Sequence, residues 1–176
     1  MSNDYGKQMA EAMTAIRGMH SDCVRLFRDL DRNLSSYESL YGNVVTLNLG
    51  SSISRQVYLA EGLIRLYIPR GNEQQVLGIN ICFFDENDSA FVEPLFVAAN
   101  TRYVTATSDP QEKIRKGWDP WNAFLDWSPQ RLYSQPILIE KPKRASVERV
   151  TVAAAPLYSV ATLTDALSII DMVGRP

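Results

Sequence analysis

The chain contains a single histidine, His20, and two cysteines, Cys23 and Cys82, among its 176 residues. Catalytic sites in which a histidine activates a serine or cysteine nucleophile therefore have only one candidate base. The sequence motifs of phosphate-binding loops, dinucleotide-binding turns and serine nucleophile elbows are absent. Two isolated thiols form neither a metal-binding pattern nor a disulfide framework, and they favour a reducing compartment. An enzyme is therefore the less favoured class.

Long apolar runs and an excess of charge of one sign are also missing. No stretch reaches the roughly 18 apolar residues that cross a bilayer, and the first residues lack the pattern of a signal peptide. The 18 basic and 20 acidic side chains give a formal net charge of −2, which does not favour nucleic acid or an anionic membrane as a partner. We therefore expect a cytoplasmic protein without a membrane partner or a cofactor, with nucleic acid as a less favoured partner.

A regular seam of mainly apolar residues opens the sequence. Its members follow one another at intervals of four and three residues: Met9, Met13, Ile16, His20, Cys23, Phe27, Leu30 and Leu34. This spacing is typical of the a and d positions of a coiled coil, and it predicts a single amphipathic helix over residues 1–34. Such a helix is about 50 Å long at about 1.5 Å per residue, more than a small domain needs.

We therefore expect the N-terminal helix to be an oligomerisation element through which the protein forms a homo-oligomer. The predicted contact residues are Met13, Ile16, His20, Cys23, Phe27 and Leu30. The alternative is that the same seam packs across the chain's own sheet, which the spacing alone does not distinguish.

Residues 35–176 are predicted to form a single α+β domain. Apolar and polar residues alternate over 63–69 and 76–84 around a turn at Gly71, a pattern that predicts an antiparallel hairpin with one more polar face. Further strands are predicted at 44–49, 90–99, 136–140 and 148–155. We therefore expect an antiparallel sheet of about five to six strands with helices packed on one face.

Two helical regions are predicted within that domain. Asp109-Pro110 and Asp119-Pro120 each combine a helix cap with a proline at the first helical position, so a helical segment is expected before the last two strands. Thr162 or Thr164 is expected to cap a C-terminal helix that ends at Gly174. This element order resembles that of small dimeric secretion-chaperone-like folds, which begin with a helix and interrupt their sheet with a second one.

All three tryptophans, Trp118, Trp121 and Trp127, fall within ten residues, with Arg131 close by. Exposed tryptophan beside arginine is typical of protein-binding hot spots, so these four residues are the predicted partner-binding site. Burial of the rings in the core is the alternative, and stacking on nucleobases is a further one.

Metal sites have weaker support. His20 and Cys23 lie three residues apart on one helical face, but a zinc site needs two more ligands. Glu140 begins a Glu-Lys-Pro-Lys sequence near the pattern of magnesium-dependent nucleases, yet Pro142 stands where that pattern requires lysine. We therefore predict no metal site and no catalytic residue.

The sequence thus favours a non-enzymatic interaction or assembly module, such as a chaperone-like protein or an adaptor. It would self-associate through the N-terminal helix and bind another protein through the Trp-rich surface. One alternative is a small-ligand sensor with a pocket between the Trp-rich segment and a polar sheet face carrying Arg65, Tyr67, Asn80 and Cys82. The second is a carboxylate- and metal-dependent enzyme such as a nuclease.

Overall fold

A computed structural model describes residues 2–40, 46–48, 62–72, 74–83, 93–104, 137–140 and 147–174. The chain begins with helix α1 (Ser2–Asn33) and ends with helix α2 (Leu163–Met172), which follows a 3-10 turn at Leu157–Ser159. Between them lie the strands β1 (Tyr37–Ser39), β2 (Thr46–Asn48), β3 (Gly62–Pro69), β4 (Gln75–Cys82), β5 (Leu95–Tyr103), β6 (Ile137–Glu140) and β7 (Val147–Pro156). The predicted long N-terminal helix and C-terminal helix are both confirmed.

The strands form one antiparallel sheet in the order β1-β3-β4-β5-β7-β6, and β2 pairs with the other end of β3. The short strands β1 and β2 therefore share one position, so the sheet is six strands wide. This arrangement confirms the α+β class and the antiparallel sheet. The helical segment predicted between β5 and β6 falls outside the described residues.

The hairpin of β3 and β4 was predicted from alternation and is confirmed, but one feature of that prediction was wrong. The register places Arg65 opposite Ile79 and Ile64 opposite Asn80. Cross-strand partners share a face, so the polar positions of the two strands lie on opposite faces of the sheet. Arg65 and Tyr67 therefore share no face with Asn80 and Cys82, and these four residues do not form the polar face expected for a ligand pocket.

Both faces of the sheet are buried. One face carries Leu63, Leu77, Ile79, Ile81 and Phe96, and both described helices pack against it. The other face carries a second apolar cluster that includes Ile64, Leu66, Val76, Val97 and Val150. An antiparallel sheet with one polar face was expected, whereas this sheet has near-continuous apolar runs that suit burial on both sides.

The C-terminal helix is held at both ends. The Thr162 side chain accepts a hydrogen bond from the Asp165 backbone N–H, and the Asp165 carboxylate accepts one from the Thr162 N–H, which forms a capping box. At the other end Gly174 adopts a positive φ of 80°, and its carbonyl accepts a hydrogen bond of 2.7 Å from the Asn100 side chain. The predicted cap at Thr162 and end at Gly174 are confirmed.

Candidate functional site: the N-terminal helix and its groove

The surroundings of the helical seam change along α1. Cys23, Phe27, Leu30 and Leu34 are buried in the same apolar cluster as the first face of the sheet and α2, and Phe27 is only 1% exposed. Ile16 and His20 are half-buried. Met9 and Met13 are 55% and 51% exposed. The predicted seam therefore divides into a C-terminal part within the chain's own core and an N-terminal part that the described residues leave uncovered.

An ion pair anchors the C-terminal part of α1 to the sheet. Arg65 on β3 donates two hydrogen bonds to the two carboxylate oxygens of Asp31, with N–O distances of 2.8 and 2.5 Å. The Tyr67 hydroxyl donates a third bond of 2.9 Å to the same carboxylate. The Arg65 guanidinium carbon lies 5.8 Å from the centre of the Tyr67 ring, within the range of a cation–π contact. This Asp31 anchor fixes the direction in which α1 leaves the domain.

Burial and charge shape the protonation of the anchor. Burial raises the pKa of the Tyr67 phenol, and the neighbouring Asp31 carboxylate raises it further, so Tyr67 stays protonated and remains a donor. Burial acts to lower the pKa of the Arg65 guanidinium, but the hydrogen bonds and charge of Asp31 outweigh it, so that pKa is raised. Arg65 therefore keeps its charge and Tyr67 keeps its donor hydrogen throughout the neutral range.

The exposed part of the seam forms an apolar strip, defined here as Tyr5, Met9, Met13 and Ile16. Tyr5 is 69% exposed, more than either methionine. Two charged residues of the same helical segment, Lys7 and Glu11, form an i,i+4 pair at 3.8 Å. At 100° per residue these two side chains project from the opposite side of the helix. The four strip residues are thus uncharged, and the exposed Arg17 lies at the edge of the strip, four residues after Met13.

A groove runs between α1 and the start of α2. Its apolar lining comes from Met19, Cys23, Leu26, Leu157, Val160 and Leu163. The polar residues Asp22, Arg25, Asp29 and Thr162 and the exposed Ala161 complete it. The volume is about 620 Å³. The Nη1 atom of Arg25 lies 3.5 Å from Oδ1 of Asp22, and the Nη1 atom of Arg32 lies 3.2 Å from Oδ1 of Asp29. Each carboxylate of the α1–α2 groove therefore has an arginine partner on its own helix. The groove is therefore close to neutral.

His20 and Cys23 occupy structural positions. The His20 ring stacks on Phe83, with ring centres 5.1 Å apart and an angle of 24° between the planes. Burial raises the pKa of the Cys23 thiol from 9.0 to about 11, and the nearby Asp22 carboxylate adds to this shift. A thiol with such a pKa is almost entirely protonated at neutral pH and is a poor nucleophile or metal ligand. Within the described ranges, no three His, Cys, Asp or Glu side chains come together as a metal site.

The remaining predicted site residues belong to the Trp-rich segment and to the end of β6. Trp118, Trp121, Trp127 and Arg131, the predicted partner-binding residues, all fall outside the described residues. Glu140 ends β6, where its backbone pairs with Arg149 of β7. The partner-binding surface and the nuclease alternative therefore stay predictions.

Sequence reasoning missed both the Asp31 anchor and the α1–α2 groove. A signal for the anchor was present, because Arg65 and Tyr67 interrupt an otherwise apolar strand and Asp31 lies beside the seam. Nothing in the spacing showed that the helix covers the face carrying Arg65, so the pairing required the fold. The groove is formed by residues more than a hundred positions apart, and no local pattern indicates it.

Comparison with known proteins gives no assignment. No family model matches the chain, and neither a curated protein nor a solved structure is significantly similar to it. No helix within the described ranges is both long enough and apolar enough to span a membrane.

Proposed function

We propose that the protein is a non-enzymatic cytoplasmic interaction module that self-associates through the N-terminal half of α1. The observation that carries the proposal is the apolar strip, in which Met9 and Met13 are more than half exposed and continue a seam whose C-terminal part is fully buried. Contiguous exposed apolar surface is typical of sites that bind another protein. Methionine suits such a surface because its flexible side chain adapts to a partner.

The anchoring of α1 supports this proposal. Phe27 and Leu30 in the core and Asp31 in its ion pair hold the C-terminal half of the helix. Residues 5–16 then extend about 17 Å along the helix axis, at about 1.5 Å per residue. A helix that is fixed at one end presents its strip in a defined direction, which lowers the entropic cost of binding.

The apolar strip alone supports only a weak dimer. Fully burying an apolar side chain contributes about 1.5–3 kcal/mol, so burying the exposed parts of Tyr5, Met9 and Met13 in two copies contributes roughly 5–10 kcal/mol. Association itself costs an estimated ~4–15 kcal/mol. A stable assembly therefore needs surface beyond the strip, either from elsewhere on this chain or from another protein.

The proposal is tested by introducing charge into the strip. The Met9→Asp/Met13→Asp double variant of the full chain places two carboxylates in the proposed contact, where desolvation opposes association. Thr14→Asp is the matched control, because Thr14 is exposed and projects from the opposite side of the same helical turn. We expect the double variant to be monomeric in sedimentation velocity experiments while Thr14→Asp keeps the mass of the unchanged protein. Equal masses for all three proteins would contradict the proposal.

A further inference from the structure

We infer that the apolar strip of one copy lies in the α1–α2 groove of a second copy, in an antiparallel arrangement that is identical for both. The inference rests on the proposed self-association and names the surface that receives the strip. The groove provides the additional buried surface that a contact between two strips alone lacks.

Continuity along α1 supports this arrangement. Tyr5, Ala12, Met19 and Leu26 recur at intervals of seven residues. Residues spaced in this way follow the path of a second helix that supercoils around the first in the left-handed sense. Met19 and Leu26 line the groove, whereas Tyr5 belongs to the strip. A partner helix that lies along this row therefore passes from the strip into the groove without leaving α1.

The apolar strip and the α1–α2 groove also match in length and in polarity. The strip spans about 17 Å from Tyr5 to Ile16, and the α1 wall of the groove spans about 15 Å from Met19 to Asp29, both at about 1.5 Å per residue. The groove carboxylates are already paired with Arg25 and Arg32. The strip residues themselves carry no charge, and Lys7 and Glu11 project from the other side of the helix. The exposed Arg17 lies at the edge of the strip. The strip can therefore enter the groove while these ion pairs stay intact.

Symmetry then fixes the direction. An antiparallel pairing about a two-fold axis near Ala15 and Ile16 brings Tyr5 of each copy against Leu26 of the other, and Ala12 of each copy against Met19 of the other. Both strips are covered and both grooves are filled, so the assembly closes as a dimer. A parallel pairing would place strip against strip and leave both grooves empty.

Disulfide cross-linking distinguishes these arrangements. The Tyr5→Cys/Leu26→Cys double variant of the full chain also carries Cys23→Ala, because Cys23 lines the groove one helical turn from Leu26. Its two new thiols lie about 32 Å apart within one helix and cannot join each other. The antiparallel dimer brings the thiol introduced at position 5 of one copy next to the thiol introduced at position 26 of the other. We therefore expect a covalent dimer under mild oxidation. Tyr5→Cys alone, also with Cys23→Ala, and the unchanged protein are the controls and should remain uncross-linked.

A second variant tests the groove without altering α1. Ala161 is exposed on the groove rim, so Ala161→Arg should place a large charged group where the strip enters while leaving the fold intact. We expect the dimer dissociation constant to rise by about tenfold or more, because the arginine is present in both copies and obstructs both grooves. Ser168→Arg, at an exposed position of α2 that does not line the groove, is the matched control and should leave the constant unchanged.

The outcomes separate this inference from the proposed function. If the strip variants dissociate the dimer but Ala161→Arg does not, or if Tyr5→Cys alone cross-links, self-association stands and the groove arrangement is wrong. If the unchanged protein is a monomer, both are wrong. Cross-linking of the double variant together with weakening by Ala161→Arg supports both.

Discussion

The Asp31 anchor predicts a large and specific loss of stability for Asp31→Ala. The substitution removes two charge-assisted hydrogen bonds from the Arg65 guanidinium, which is 4% exposed. Removing one partner of a buried ion pair typically costs about 3–5 kcal/mol. Because 32% of the Asp31 side chain is exposed, water solvates part of the vacated site, and we expect a loss near 3 kcal/mol, at the lower end of that range.

Urea unfolding of the full chain measures this loss, with Asp22→Ala as the matched control. Asp22 lies on the same helix and pairs with Arg25, but both side chains are exposed, so its removal should cost less than about 1 kcal/mol. Adding Arg65→Met to Asp31→Ala should recover part of the lost stability, because the buried guanidinium that has lost the Asp31 carboxylate is then absent. The reasoning is refuted if Asp31→Ala costs no more than Asp22→Ala, or if the double variant is less stable than Asp31→Ala.

Three further predictions concern stability and are checked by the same unfolding measurements. Phe27→Ala should cost about 3–5 kcal/mol because Phe27 is in the core. Met13→Ala should change the free energy of unfolding by less than about 0.5 kcal/mol at protein concentrations at which the chain is monomeric. Thr162→Ala removes the cap of α2 and should cost about 1 kcal/mol. Burial raises the pKa of Cys23 from 9.0 to about 11, so between these two pH values the folded state keeps the thiol proton that the unfolded state has lost. The contribution of Cys23 is therefore fully present below pH 9 and should be lost as the pH rises from 9 to 11, with a smaller loss in Cys23→Ala.

Each of these predictions has an outcome that contradicts it. Equal losses for Phe27→Ala and Met13→Ala would mean that the seam does not divide into a buried and an exposed part. An unchanged midpoint for Thr162→Ala would remove the cap from the account of α2. The same slope of stability with pH above pH 9 in the unchanged protein and in Cys23→Ala would show that another group is responsible.

Much of the fold was predictable because its signals are local. The regular seam predicted α1, the alternation around Gly71 predicted the β3–β4 hairpin, and Thr162 and Gly174 marked the ends of α2. Each depends on the periodicity or capping of a short segment. The α+β class followed from the order of these elements.

The remaining features depend on long-range geometry. Alternation in β3 and in β4 was read correctly within each strand, but only the register shows that Arg65 shares a face with Ile79. A seam of coiled-coil spacing looks the same whether it packs on the chain's own sheet or on a second copy. Here one helix combines both environments, since Phe27 is buried in the core while Met13 is exposed. The spacing alone does not show where the change occurs.

The most direct test of the central claim is the solution mass of the unchanged full chain, measured by light scattering over a range of protein concentrations. Self-association through the exposed strip predicts the mass of a dimer that falls towards the 19.8 kDa monomer on dilution. A mass that stays at the monomer value at every concentration would contradict the claim.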